Sequence, residues 1–222
     1  MFSLPDEDLT PPAFSEYDED AHEGGGAWAW VVSELCTPRT LLSLINDTGI
    51  ALVAREKVRY IQELASGLTY LHAQGIVHRD VKPANALLDT GGRLRLADFG
   101  CSSGPGRDEV AVIGTVPYQA PEVLRGGMGC GRSDIFSLGV TAWHLITRRA
   151  PFEGLHHHVV LYQVTCLHHR PPHHIPLSPS PSLLEVLLAR LASRCWAEEP
   201  KERPDALTLV SILGALSCSS AI

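Results

Sequence analysis

The stretch His78-Arg79-Asp80-Val81-Lys82-Pro83-Ala84-Asn85 gathers a carboxylate, an ammonium and an amide into one short loop, and Asp98-Phe99-Gly100 adds a second carboxylate a little further on. Transfer of a phosphoryl group to a hydroxyl needs these types. A carboxylate orients and deprotonates the acceptor, hard oxygens hold a divalent metal, and positive charge sits beside the moving phosphoryl. Asp80 fits the role of base. Lys82, two residues on, projects the same way in an extended loop and can neutralise a γ-phosphoryl. Asn85 and Asp98 carry oxygens suited to Mg²⁺, which keeps its remaining positions for phosphates and water. Each short motif is a weak signal alone. Their order, followed by Gly114-Thr115 and Ala120-Pro121-Glu122, is specific.

These residues need a frame, and the hydrophobic spacing supplies one. Residues 52–74 read as the strongest helix, with Ile61, Leu64, Ala65, Leu68 and Leu71 on one stripe and Gly75 as its stop. Asn85–Asp89 and Arg93–Ala97 read as short strands around the turn Asp89-Thr90-Gly91-Gly92. Residues 133–147 are apolar on nearly every face, as in a buried helix. Thr37-Pro38 has the composition of an N-cap with proline at the first helical position, opening a short helix with Leu41, Leu44 and Ile45 on one face. Trp28–Val32 reads as a buried strand. Further helices are expected near 156–166, over 182–195, and after Asp205, a suitable N-cap. A Pro-rich loop occupies 171–181.

The formal charge of −7 is uneven. The first 23 residues hold eight carboxylates and no Lys or Arg, and the remainder is near neutral with 18 basic against 17 acidic residues. That balance argues against a nucleic-acid surface and for a solvated acidic tail over 1–26. Six cysteines lie scattered without a C-x-x-C pair, and there is no secretory leader or membrane-length apolar run; a cytoplasmic protein is expected. Eleven histidines cluster at His156–His158, His168-His169 and His173-His174, but not at metal-site spacing, so solvated histidines are expected. Cys101 beside Asp98-Phe99-Gly100 reads as a small packing residue rather than a reactive thiol.

From about Val31 to Leu216 the chain resembles the C-terminal lobe of eukaryotic protein kinases. The fold implied is α+β, a kinase-like large lobe that is mainly helical, with the small-lobe sheet almost entirely absent. The implied organisation is a tail over 1–26, a partial kinase domain over 27–216 and a short tail over 217–222. The implied substrates and cofactors are a protein hydroxyl, ATP and Mg²⁺. By that resemblance Ser33 is the gatekeeper, the backbone of Glu34 and Cys36 pairs with adenine, and Leu87 lies under the ring. Phe99 would stack with His78, Asp134 would hold the catalytic-loop backbone, and Glu122 would pair with Arg203. Lys82 with Thr115 is the pattern of serine/threonine kinases. Lys82-Pro83-Ala84-Asn85, Asp98-Phe99-Gly100-Cys101-Ser102 and Asp134-Ile135-Phe136-Ser137 are similar to the Mos family, which implies a MAP kinase kinase as substrate.

The chain departs from the kinase pattern before residue 27. Its three lysines are Lys57, Lys82 and Lys201, none of which falls on an upstream strand, and Gly24-Gly25-Gly26 does not match a G-x-G-x-x-G loop. Two readings follow: a truncated form of an active kinase, or a kinase-derived module that binds without catalysis. The intact Asp80, Lys82, Asn85 and Asp98 favour the first. A lobe of this kind would leave Leu87, Phe99, Trp28 and Trp30 partly uncovered, so little activity by itself and a partner over the cleft are expected. Ser102 and Ser103 are hydroxyls that Arg79 could receive as phosphates; an unmodified loop is an equal reading.

Overall fold

The stripe Ile61, Leu64, Ala65, Leu68 and Leu71 becomes the buried face of the central helix α2, Ala54–Ala73. Burying each of the larger side chains contributes about 1.5–3 kcal/mol. The helix stops where the sequence expects. Ile76 N donates to Leu71 O at 2.9 Å and Gly75 N to His72 O at 3.1 Å, with Gly75 at φ 71°. That double bond satisfies the last carbonyls, and it needs a left-handed residue at Gly75.

This computed structural model describes residues 34–104, 114–172 and 181–219. The chain divides into two compact units, Met1–Glu34 and Leu35–Ile222, and the account below concerns the second. The expected acidic tail, the Trp28–Val32 strand, Ser33, and most of the Pro-rich loop lie outside the described residues.

Among those residues the other helices are α1 (Leu41–Asn46), α3 (Pro121–Leu124), α4 (Gly131–Thr147), α5 (His157–Thr165), α6 (Leu183–Cys195) and α7 (Ala206–Ser219). α2 packs against α7 and α4, and α4 packs against α6. α4 is buried from Ser133 to Ile146, as its all-round apolarity implies. Its core partners form two clusters. The larger joins α1, α2, α4, α6 and α7, and the smaller gathers Phe136, Val140, Trp143, Val160 and Trp196. Asp205 caps α7 by accepting from Thr208 N at 2.7 Å, and Ser182 caps α6 in a reciprocal box with Glu185.

One expected cap is corrected. Thr37 does not open α1. Its N–H and its hydroxyl both donate to Leu88 O, at 2.8 and 2.9 Å, and Leu88 N donates to Arg39 O. The segment therefore runs extended beside a strand. The cap is Thr40, in a reciprocal box with Ser43. A tertiary partner for Thr37 outcompetes its local helix-start preference.

The sheet is one antiparallel hairpin, β1 (Ala86–Leu88) with β2 (Leu94–Leu96), pairing Ala86 with Leu96 and Leu88 with Leu94. The turn forms because Asp89 Oδ1 accepts from Gly91 N and Arg93 N, both at 2.9 Å. Glu63 on α2 accepts from Leu94 N at 2.8 Å, and Arg59 donates to Gly92 O at 3.0 Å. The longest helix thus grips the hairpin that carries the site. Lys57 lies on the same helix and pairs with Glu185 at 2.8 Å, so it belongs to the α2–α6 junction.

The far end of the lobe is tied by Arg203, which is 1% exposed. It binds Glu122 through two parallel bonds, Nη1 to Oε1 at 2.7 Å and Nη2 to Oε2 at 2.8 Å. Its other donors reach the carbonyls of Ala197, Arg132 and Glu198. All five guanidinium N–H groups are used, which makes so deep a charge tolerable. Burial by itself would raise the Glu122 pKa. The Arg203 bonds and charge outweigh it and hold the carboxyl below its ordinary value of 4.5. The pair therefore stabilises the fold fully above the unfolded value and loses that contribution as pH falls through the lower folded value. Removing one partner of such a pair costs about 3–5 kcal/mol. Arg203→Met is expected to lower urea stability by that order at pH 7, with the gap from the parent narrowing below pH 4; the two melts followed across pH 3–7 check it.

Candidate functional site

The buried carboxylate of Asp134, in the first turn of α4, fixes the loop that begins at His78. Oδ2 accepts from His78 N at 2.9 Å and Oδ1 from Arg79 N at 2.8 Å. His72, in the last turn of α2, joins Oδ2 at 2.9 Å. Asp134 is 1% exposed, so these charge-assisted bonds act in a low dielectric. They hold Arg79 at φ 66°, a left-handed conformation unfavourable for a residue with a side chain.

His78 is fully buried and keys the next residue. Its Nδ1 accepts from Asp80 N at 3.3 Å, so the ring proton is on Nε2, which donates to Ala97 O at 3.1 Å. The ring meets Phe99 edge-on, with centroids 5.2 Å apart. One imidazole thus links the loop carrying Asp80 to the segment carrying Asp98.

Asp80 stands at the centre of a closed set. Oδ2 takes Lys82 Nζ at 2.6 Å and Asn85 Nδ2 at 2.9 Å. Oδ1 takes the backbone N–H and the hydroxyl of Thr115, at 3.0 and 2.9 Å. Lys82 Nζ also donates to Thr115 Oγ1 at 2.6 Å. Burial pulls the Asp80 pKa upward, but the bonds from Lys82, Thr115 and Asn85 prevail and lower it. The carboxylate is therefore ionised at neutral pH and held in one orientation. Thr115 reaches it because Gly114 has φ 111° and no side chain; a Cβ there would stand 2.7 Å from Arg79 O.

Asn85 and Asp98 lie on adjoining segments at the open end of the hairpin. Asn85 ends a short 3-10 turn at Pro83–Asn85 that leads into β1, and Ala97 N donates to Asn85 O at 2.9 Å. Both Asn85 Nδ2 protons are committed, to Asp80 O at 3.0 Å and to Oδ2, so the amide oxygen is the face left for a cation. Asp98 is exposed at φ 63°, with Oδ1 accepting from the local Gly100 N at 3.2 Å. Two hard oxygen donors on adjoining segments suit Mg²⁺ chemically.

Of the expected nucleotide contacts, Leu87 is half-buried and pairs with Thr40 across the bridge beside β1. Cys36 is half-buried directly before Thr37. Glu34, the last residue of the first unit, is exposed. Phe99 is 47% exposed and Leu35 87% exposed. Burial, then the charges of Asp80 and Asp98, push the Cys101 thiol pKa up, which disfavours thiolate chemistry there. Among the described residues no group of His, Cys, Asp or Glu is arranged to hold a metal by itself, and no helix is long and apolar enough to cross a membrane. Sequence reasoning did not single out Tyr118 or His144. The two meet at 2.8 Å. The one available signal was an imidazole in an otherwise apolar helix.

Asp134→Ala leaves the amides of His78 and Arg79 without their acceptor. The expected loss is about 1–3 kcal/mol for each amide left unpaired, with a smaller loss for Asp134→Asn, whose single carbonyl oxygen can still serve one. Urea denaturation of the three proteins checks the order.

A family description of the protein kinase domain matches residues 20–212. The chain is similar to the serine/threonine-protein kinase mos of Patiria pectinifera, 37% identical over 202 residues that make up 87% of this chain and 56% of that protein. It is similar to the mos kinase of Xenopus laevis, 34% identical over 197 residues, 82% of this chain and 54% of that one. It is also similar to MAP3K epsilon protein kinase 1 of Arabidopsis thaliana, 37% identical over 155 residues, 68% of this chain and 11% of that one. The chain spans about half the length of the mos kinases it matches.

Proposed function

The chain belongs to the protein kinase domain family, and from that premise we propose that it carries the catalytic half-site of a serine/threonine protein kinase. One observation carries the reading: Asp80, Lys82, Thr115 and Asn85 form a single closed hydrogen-bonded set. An ordinary surface or capping carboxylate has no need of four such hydrogen bonds. A serine or threonine hydroxyl entering beside Asp80 gives up its proton to that carboxylate as its oxygen bonds the γ-phosphorus. The bond to the bridging oxygen breaks and ADP leaves. Lys82 offsets the charge gathering on the transferred group, and Thr115 keeps Lys82 and Asp80 in register. Mg²⁺ held by Asn85 and Asp98 would neutralise the nucleotide phosphates. Cys36 and Leu87 are the proposed adenine contacts.

The finer proposals rest on the relatives. The names mos and MAP3K support a MAP kinase kinase as protein substrate and a place in a MAP kinase cascade, and the kinase family favours action in the cytoplasm. The domain proposed spans 27–216. The exposed Phe99 and Leu35 favour a cover over the cleft, from further kinase sequence or from a partner. The rival reading, a binding module without catalysis, predicts no nucleotide response.

The two readings separate in a thermal-shift titration with ATP and Mg²⁺. A Mg²⁺-dependent rise in Tm is expected, lost in Asp98→Ala and Asn85→Ala and kept in Asp80→Asn. No rise in the parent chain, or a rise indifferent to Asp98, contradicts the proposal.

A further inference from the structure

Residues 154–167 contain no Asp, Glu, Lys or Arg. They include the whole of α5, and a surface helix ordinarily turns charged side chains outward. α5 is instead apolar on two faces. Val160 and Val164 are buried in the core cluster of Phe136, Val140 and Trp143. On the other side Leu155, Val159, Tyr162 and Leu167 are exposed among the described residues, and so is Cys166. The large hydrophobics exposed elsewhere outside the cleft (Val53, Tyr70, Met128, Leu183 and Leu207) are scattered singly over the lobe, as is ordinary for a monomer surface.

The outward stripe runs Leu155, Val159, Tyr162, Cys166, at intervals of four, three and four. Residues so spaced share one side of a helix, and the same intervals form the seam along which two helices interlock. These intervals read the same in both directions. An antiparallel copy of the stripe therefore matches it residue for residue, Val159 against Tyr162 and Leu155 against Cys166. That meets the requirement of a two-fold interface, in which one patch must fit itself. Charge agrees. A patch bearing a net charge repels its own copy, and this one has no carboxylate, ammonium or guanidinium. The eight carboxylates of the chain's first 23 residues would find no Lys or Arg on it to pair with.

We propose that the outer face of α5 docks a second copy of this chain as an antiparallel two-fold pair. At the Leu155 end the stripe runs into a cavity of about 390 Å³ lined by Leu155, Phe152 and Trp143. In the pair, the Leu167 end of the copy lies over that cavity, which has room for its side chain. A face about two helical turns long sits at the small end of interfaces, so the pair is transient, with a Kd on the order of 10 µM.

Sedimentation equilibrium on the 222-residue chain, across concentrations that bracket this value, is expected to show a monomer–dimer equilibrium. Val159→Glu sets an unpaired charge against the copy's Tyr162 and is expected to weaken the dimer about tenfold or more. Because Val159 is exposed, the variant's Tm should match the parent's. Leu155→Cys tests the direction of pairing. Within one chain, positions 155 and 166 flank the nine residues of α5. At a rise of about 1.5 Å per residue they stand too far apart for a disulfide, whose Cα atoms lie within about 7 Å. Mild oxidation is therefore expected to join Leu155→Cys to the copy's Cys166, giving more covalent dimer than in the parent chain. Adding Cys166→Ser should return it to the parent level. A chain that stays monomeric overturns the proposal. So does a dimer that Val159→Glu leaves unchanged, or extra covalent dimer that survives Cys166→Ser. A monomeric chain that binds a MAP kinase kinase and loses it in Val159→Glu also overturns the proposal, and assigns the face to a protein substrate.

Discussion

A single buried carboxylate, Asp134, holds two consecutive backbone N–H groups of the loop that carries Asp80. Everything at the site follows from that constraint. It holds Arg79 in a left-handed conformation that its side chain disfavours, and so turns the chain sharply before Asp80. A buried charge with no partners would be destabilising, and here the loop amides and His72 are the partners. Loop and helix therefore depend on each other. The strained turn exists because α4 presents a carboxylate, and the carboxylate is tolerable because the turn supplies donors.

From Asp134 the order spreads outward in defined steps. His78 passes position to Asp80 through its Nδ1 and to the Asp98 segment through its Nε2. The hairpin, gripped by Glu63 and Arg59 of α2, passes position from Asn85 to Ala97. The Glu122–Arg203 pair closes the other end, fastening α3, which follows the Thr115 turn, to the segment before α7. Asp80 is thus built into a packed lobe, while Asp98 and Phe99 remain open to solvent. Under the proposed kinase reading, a fixed Asp80 beside an open Asp98 is the arrangement expected of a surface that must admit and release a triphosphate.

The local features were legible where their cause is local. The α2 stripe, the Asp89 turn and the Asp205 cap each follow from residue type and spacing, and each forms where those place it. The grouping of Asp80, Lys82 and Asn85 was legible because one short loop carries them, while Thr115 joins them from a separate segment. The misreading at Thr37 arose where a distant carbonyl, Leu88 O, took the hydroxyl that local preference assigned to a helix cap. Lys57 with Glu185 and Tyr118 with His144 escaped for the same reason. Pairs joined across distant helices leave no periodic trace, and only packing brings them together.

The central claim is that the Asp134-held loop and the hairpin present Asn85 and Asp98 as one metal–nucleotide site. Paramagnetic broadening by Mn²⁺ in the presence of ATP reads this most directly. Signals of Asn85, Asp98 and Gly100 are expected to broaden first, at Mn²⁺ levels that leave His156–His158 sharp. Broadening confined to the histidines, or broadening at Asn85 and Asp98 that does not depend on ATP, would contradict it.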